Sequence, residues 1–237
     1  MIAPADYDGD GKTDLCVFRP TDGGWYRINS SDNTFVPVQF GSNEDIPVPG
    51  DFDGDGKANL AVFRPSSGYW LIARPTGVPA QNFDARQFGL STDKPLAGSD
   101  FDGDGKADLA VYRPSNGTWY RINSSNDTFS AAKFGIAEDL PVPADYDGDG
   151  KTDLAVFRPS VGDWYLVFSA SDSFTGFHFG ISEDKPAPAD FDGDGKADFV
   201  VFRPSSGIWY LLRSTAGFTG FQFGANGDIP TPAAFIR

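Results

Sequence analysis

The chain lacks most of the residues that staple or redox-couple a small fold. Among 237 residues there is one cysteine (Cys16), one histidine (His178) and one methionine (Met1). A lone cysteine excludes an intramolecular disulfide. No apolar run reaches the ~18 residues of a membrane-spanning helix. No segment carries a 3.6-residue apolar period of helix length, so no helix is expected. Basic residues are also scarce. There are 19 Lys and Arg against 33 Asp and Glu, a formal charge of −14. Nucleic acid is thereby excluded as a partner, because phosphate binding needs a basic face.

What the chain has is repetition. The string Asp-x-Asp-Gly-Asp-Gly-Lys-x-Asp begins at Asp6, Asp51, Asp100, Asp145 and Asp190, at spacings of 45, 49, 45 and 45 residues. In the second copy Asn59 replaces the last Asp. Units of ~45 residues suit the four-stranded blades of a β-propeller. Each unit has four short β-rich segments separated by Gly, Pro, Ser and Asp clusters, which is turn chemistry. Segment A is Pro-x-Pro-Ala-Asp-Tyr or a close variant, with its prolines expected at a strand start because proline donates no ladder hydrogen bond. Segment B is Leu-Ala-Val-Phe or similar, apolar on both faces as a strand between neighbouring blades requires. Segment C carries Trp25, Trp70, Trp119, Trp164 and Trp209. Segment D ends at Phe40-Gly41, Phe88-Gly89, Phe134-Gly135, Phe179-Gly180 and Phe223-Gly224.

The expectation is therefore an all-β chain, one domain over residues 1–237, folded as a five-bladed β-propeller with four antiparallel strands per blade. Residues 228–237 repeat segment A without its acidic loop, since Ala234 stands where the first loop Asp would be. They are expected to close or cap the array. Cys16 aligns with Ala61, Ala110, Ala155 and Val200, the environment of a small buried hydrophobe.

The acidic loop reads as a hard-cation site. In the first copy Asp6, Asp8, Asp10 and Asp14 occupy positions 1, 3, 5 and 9. Alternate residues of a tight loop converge on one point, and glycine at position 6 permits the sharp turn. Lys12 at position 7 is expected to offer its backbone carbonyl and to send its side chain to solvent. The corresponding sets are Asp51, Asp53, Asp55, Lys57 and Asn59; Asp100, Asp102, Asp104, Lys106 and Asp108; Asp145, Asp147, Asp149, Lys151 and Asp153; and Asp190, Asp192, Asp194, Lys196 and Asp198. The start resembles an EF-hand loop, but position 12 is Val17 or an equivalent valine and never the bidentate Glu. Asp14 and its equivalents are thus left to close the site. All-oxygen donors select Ca²⁺ ahead of Mg²⁺ or Mn²⁺, about five ions in all, one per repeat. Asn59 removes one charge, so the second site is expected to be the weakest.

Arg19, Arg64, Arg113, Arg158 and Arg203 each precede a proline at the end of segment B, and Asp45, Asp93, Asp139, Asp184 and Asp228 each precede segment A. They read as Arg–carboxylate ties between blades. The sharper alternative is a rim of pockets in which Arg and the Trp-Tyr pair face a sugar. His178 aligns with Gln39, Gln87, Lys133 and Gln222, a polar surface position, and five-fold repetition leaves no unique acid–base pair. The chain reads as non-enzymatic.

The loop, the Phe-Gly pair and the repeat length together resemble the FG-GAP/VCBS repeat family of integrin α-chain-like propellers, and the likeness covers nearly the whole chain. It implies Ca²⁺ between the first and second strands of each blade. The ligands carried over are the four loop Asp of each repeat, with Asn59 in the second. Integrin-like propellers have seven blades; this chain supplies five. The resemblance further implies an extracellular or cell-surface location and an adhesion, scaffold or ligand-binding role toward a protein or glycan. The alternative within that role is a multivalent lectin.

Overall fold

The computed structural model describes residues 1–231, and the C-terminal part of the expected closing segment lies outside them. Every regular element among the described residues is a strand. The fold class is an all-β, five-bladed propeller with four antiparallel strands per blade. By internal contacts the described residues divide into two compact units, 1–133 and 134–231.

The first unit holds three sheets. The first joins β1 (Leu15–Arg19), β2 (Gly24–Ile28) and β3 (Phe35–Gln39). The second is β4 (Ile46–Pro47), β5 (Ala61–Arg64), β6 (Tyr69–Ala73) and β7 (Phe83–Gln87). The third is β8 (Lys94–Leu96), β9 (Leu109–Arg113), β10 (Thr118–Ile122) and β11 (Phe129–Lys133). The second unit holds β12 (Leu140–Pro141) to β15 (Phe174–His178), with β13 (Leu154–Arg158) and β14 (Asp163–Val167) between them. It also holds β16 (Lys185–Pro186), β17 (Phe199–Arg203), β18 (Ile208–Arg213) and β19 (Gly217–Gln222). Each sheet is a meander of consecutive antiparallel strands.

In the first sheet the fourth place is taken by the N-terminal residues. Ile2 bridges Val17, Phe18 donates its N–H to the Met1 carbonyl at 2.8 Å, and Ala3 donates to Cys16 at 3.0 Å. In three of the other sheets the short first strand ends in proline, with Pro47, Pro141 and Pro186 opposite Val62, Val156 and Val201, whereas β8 runs one residue past Pro95 to Leu96. Proline itself donates nothing to the ladder, and the next N–H resumes the pairing: Val48, Val142 and Ala187 donate to the carbonyls of Ala61, Ala155 and Val200 at 2.8–2.9 Å.

The register explains the tryptophans. Phe18, Phe63, Tyr112, Phe157 and Phe202 lie directly opposite Trp25, Trp70, Trp119, Trp164 and Trp209. Their ring centroids are 5.3–5.7 Å apart. Such tilted pairs contribute about 0.5–1.5 kcal/mol each beyond area burial. Trp25, Trp70 and Trp164 also donate their indole N–H to the carbonyls of Phe40, Phe88 and Phe179 at 2.7–2.9 Å. This satisfies the one polar atom of a buried indole and fixes the Phe-Gly corner. Gly41 at that corner has φ +125°, and a Cβ there would stand 3.1 Å from Phe18. Both the backbone angle and the space demand glycine.

Within each unit the sheets pack through these faces. Leu60 and Val62 of the second sheet join Trp25 and Phe40 of the first in one apolar cluster. Leu109 and Val111 join Phe63 and Trp70 in the next. Val17 of the first sheet is 46 % exposed, where Val62 of the second is fully buried.

Candidate metal centre

The loop between segment A and segment B is organised first by its own backbone. Asp6 takes the N–H of Gly9 on one carboxylate oxygen (2.6 Å) and that of Gly11 on the other (2.8 Å). Asp51, Asp100, Asp145 and Asp190 accept the same two glycine donors. Gly9 and Gly11 have φ near +83° and +82°, which lets both N–H groups point back at one carboxylate. Asp10 accepts the Lys12 N–H at 2.9 Å.

Position 9 has a second duty that spacing alone did not reveal. Asp14, Asp108, Asp153 and Asp198 are fully buried. One oxygen of each accepts the N–H of Tyr7, Phe101, Tyr146 or Phe191 at 2.7–2.9 Å. The other accepts the N–H of Ser30, Ser124, Ser169 or Ser214 at 2.7–2.8 Å. The closing carboxylate therefore ties the acidic loop to the turn that follows segment C.

The same turn supplies hydroxyls that the sequence reading missed. Ser30 donates to Asp10 at 2.8 Å and Ser31 to Asp8 at 2.7 Å. Ser124 and Ser125 repeat this on Asp104 and Asp102, Ser169 reaches Asp149, and Ser214 and Thr215 reach Asp194. The signal was a Ser at a fixed distance after each loop, present in four repeats of five. The hydroxyl of Ser31 holds the Asp8 carboxyl below its usual range, and Ser214 with Thr215 does the same for Asp194.

The arrangement gathers carboxylate oxygens. In each loop three Asp offer oxygens within 4.8 Å of one another: Asp6, Asp8 and Asp10; Asp51, Asp53 and Asp55; Asp100, Asp102 and Asp108; Asp145, Asp147 and Asp153; Asp190, Asp192 and Asp194. Such clusters can hold a metal ion, and two further observations fit one. Asp102 and Asp192 each keep one buried oxygen without a hydrogen-bond donor. An orphaned buried acceptor is costly unless something positive faces it. Burial raises the Asp108 pKa to about 6 against the pull of the Ser124 and Phe101 N–H groups, and the charges of Asp102 and Asp100 add to the rise. Asp100, Asp153 and Asp198 are raised as well, chiefly by burial. These loops carry more negative charge than their own donors accommodate.

Neighbouring loops are linked. Ala58 donates its N–H to the Asp6 carbonyl, Ala107 to that of Asp51 and Ala197 to that of Asp145, at 2.6–2.7 Å. The lysine at position 7 reaches solvent, as Lys12 does at 74 % side-chain exposure, but its stem also meets the neighbouring loop. A Cβ built at Gly9 would stand 2.9 Å from Lys57 Cε, and Lys106 and Lys196 lie likewise over Gly54 and Gly148. The stems of these side chains cross the preceding loop on their way to solvent. That loop is acidic and glycine leaves room for the stem.

The Arg–Asp sets resolve in favour of structure. Arg64, Arg113, Arg158 and Arg203 each grip Asp45, Asp93, Asp139 or Asp184 through Nε and Nη2 at 2.7–3.0 Å. All four Asp side chains are fully buried. Each Asp also caps the turn that leads from one sheet to the next, as Asp45 does for Ser42 at 2.8 Å. Arg113, Arg158 and Arg203 lie over Tyr120, Tyr165 and Tyr210 at 4.3–4.6 Å. Arg19 instead meets Asp22 at 3.4 Å and Tyr26 at 4.2 Å. His178 pairs with Asp163 at 2.9 Å on the surface. Four of the five arginines and the tryptophans beside them are engaged in packing, while Arg19, 57 % exposed, is held only at the surface.

A different aromatic feature stands outward. Phe35, Phe129, Phe174 and Phe218 are each more than half exposed. Each lies nearly parallel to a tyrosine of the adjacent strand (Tyr26, Tyr120, Tyr165, Tyr210), at interplanar angles of 11–22°.

Comparison with known proteins agrees with this architecture. The model of the FG-GAP-like repeat matches residues 6–79, 100–156 and 145–201, and that of the FG-GAP repeat matches residues 185–220. No curated protein matches the chain. Among solved structures, a virginiamycin B lyase from Staphylococcus aureus aligns with TM-score 0.60 and 11 % identity, over 93 % of this chain and 69 % of that one. An Agrocybe aegerita lectin that recognises non-reducing terminal N-acetylglucosamine aligns with TM-score 0.58 and 20 % identity, over 92 % and 64 %. A chain of a mitotic checkpoint complex aligns with TM-score 0.55 and 10 % identity, over 94 % and 64 %. The chain thus spans about two thirds of the length of these chains, and at such identities the likeness is one of fold. By the span of the repeat matches and the loop geometry within them, the chain belongs to the FG-GAP repeat family.

Proposed function

We propose that this chain is a calcium-stabilised, non-enzymatic binding module of the cell exterior, acting in adhesion or as a scaffold toward a protein or glycan. The observation that carries the reading is the set of carboxylate oxygens gathered within 4.8 Å in each acidic loop. An all-oxygen, carboxylate-rich donor set with backbone carbonyls to hand suits Ca²⁺. The ion would be held by the loop Asp and the position-7 carbonyl. It would supply positive charge to carboxylates that burial and mutual repulsion otherwise push toward protonation. Sites of this kind in extracellular modules bind at about 10⁻⁴–10⁻³ M, filled outside a cell and empty in cytosol. Linked loops would make the ions act together on the fold.

The alternative is a multivalent lectin. It is favoured by the repeated, exposed Tyr–Phe stacks and by the likeness to a sugar-binding propeller. Flat aromatic faces suit sugar rings, and repetition supplies avidity. The binding site moves, in this reading, from the buried Trp and Arg to the outward phenylalanines. The deciding experiment is a glycan and matrix-protein array probed with the chain in calcium and in EDTA. Calcium-dependent capture by a protein supports the scaffold reading, and saturable capture of one sugar at several sites supports the lectin. No capture of either class would refute both.

A further inference from the structure

The second loop is built differently from the other four, at two positions that move together. In the other loops the position-9 carboxylate has two N–H donors, the second from Ser30, Ser124, Ser169 or Ser214. In the second repeat the aligned residue is Pro75, which has neither an N–H nor a hydroxyl. A carboxylate at position 59 would therefore bury one oxygen with no backbone donor. The residue there is Asn59, and its orientation is fixed: Oδ1 accepts the Phe52 N–H at 2.8 Å, so Nδ2 occupies the other branch. That Nδ2 donates to Asp53 Oδ2 at 2.9 Å. Asp53 Oδ2 is the counterpart of Asp8 Oδ2, which in the first loop takes the Ser31 hydroxyl.

The amide thus takes on Asp53 the place that the Ser31 hydroxyl holds on Asp8, and presents hydrogens toward the loop interior. In the third and fourth loops the position-9 residue, Asp108 or Asp153, contributes a carboxylate oxygen to the acidic cluster. A nitrogen carrying hydrogens cannot serve a hard cation. We infer that the second loop is organised by the Asn59 amide instead of a cation, so that the chain takes four calcium ions and its second blade keeps its loop ordered when calcium is withdrawn. This inference rests on the calcium reading and refines it.

Native mass spectrometry of the full chain equilibrated with saturating calcium tests it. Four bound ions are expected, and five would overturn the inference. Zero ions would instead remove the calcium reading as a whole, which keeps the two failures apart. The double variant Asn59→Asp with Pro75→Ser should take a fifth ion, whereas Asn59→Asp alone should not. A double variant that stays at four would overturn the cause assigned. Hydrogen exchange of the unmodified chain in EDTA gives a readout free of folding defects in variants. The Phe52 and Gly56 amides should exchange about tenfold more slowly than Tyr146 and Gly150, their counterparts in the fourth loop. Equal exchange at the two loops would overturn the inference.

Discussion

Replacing Arg158 with methionine tests whether the repeated arginines hold the fold or face a ligand. The substitution keeps the aliphatic stem and removes the guanidinium. What it leaves behind is Asp139, fully buried, with the Ile136 N–H at 2.8 Å still donating to it. The Nε and Nη2 hydrogen bonds at 2.8 and 3.0 Å disappear, together with the stack on Tyr165 at 4.6 Å. Breaking a buried pair from one side costs about 3–5 kcal/mol. Arg158 is itself 23 % exposed, so water reaches part of the site and the lower end applies, about 3 kcal/mol. In a chain of this size that is a fall of roughly 6–12 °C in melting temperature. Scanning calorimetry measures it, and the loss should be the same in calcium and in EDTA because the pair lies outside the acidic loops. Adding Asp139→Asn should recover part of the loss by removing the stranded charge. A change below about 1 kcal/mol, the range of surface pairs, would refute the reasoning.

Other outcomes follow from the same geometry. Asp108 has a folded pKa raised to about 6, so its protonated form is the one the metal-free fold favours. In EDTA its contribution is therefore fully present below about pH 4 and lost as the pH rises through about 6, and calcium stabilisation should grow over that window; a melt series across pH reads both trends. Asp14→Ala strands the Tyr7 and Ser30 N–H groups and should lower stability by about 2–4 kcal/mol even without calcium, as urea unfolding would show. Phe174→Ala, at 64 % exposure, should cost under about 1 kcal/mol yet weaken ligand capture on the array. Cys16→Ala should be nearly neutral in thermal melts, since Ala61, Ala110 and Ala155 fill the aligned buried positions.

The sequence made the blade legible because its constraints are local and repeated. The Trp–Phe register, the glycine corner at Gly41 and the clustering of Asp6, Asp8 and Asp10 all follow from residues close in sequence or fixed in period. What it hid are contacts that cross a turn or a sheet boundary. Ser30 reaches Asp10 and Ser31 reaches Asp8 from twenty residues or more away, through the hairpin that follows segment C. Spacing identified Asp14 as a candidate ligand but could not show that both its oxygens already hold backbone N–H groups. The path of Lys57 over Gly9 depends on how adjacent loops sit, which no single repeat encodes. Asn59 read as a weakened ligand; only the missing N–H at Pro75 and the bond to Asp53 show why an amide belongs there. Arg and Trp looked equally suited to sugars and to packing, and only their burial and partners separate the two.

The calcium reading proposed above requires cation capture and folding to be one event in the acidic loops. Scanning calorimetry of the full chain in millimolar calcium and in EDTA tests it most directly. A single site at 100 times its Kd contributes about 2.7 kcal/mol, so even one filled loop should raise the melting temperature by roughly 5–10 °C, and four should raise it further. Superimposable melts in the two conditions would contradict the account.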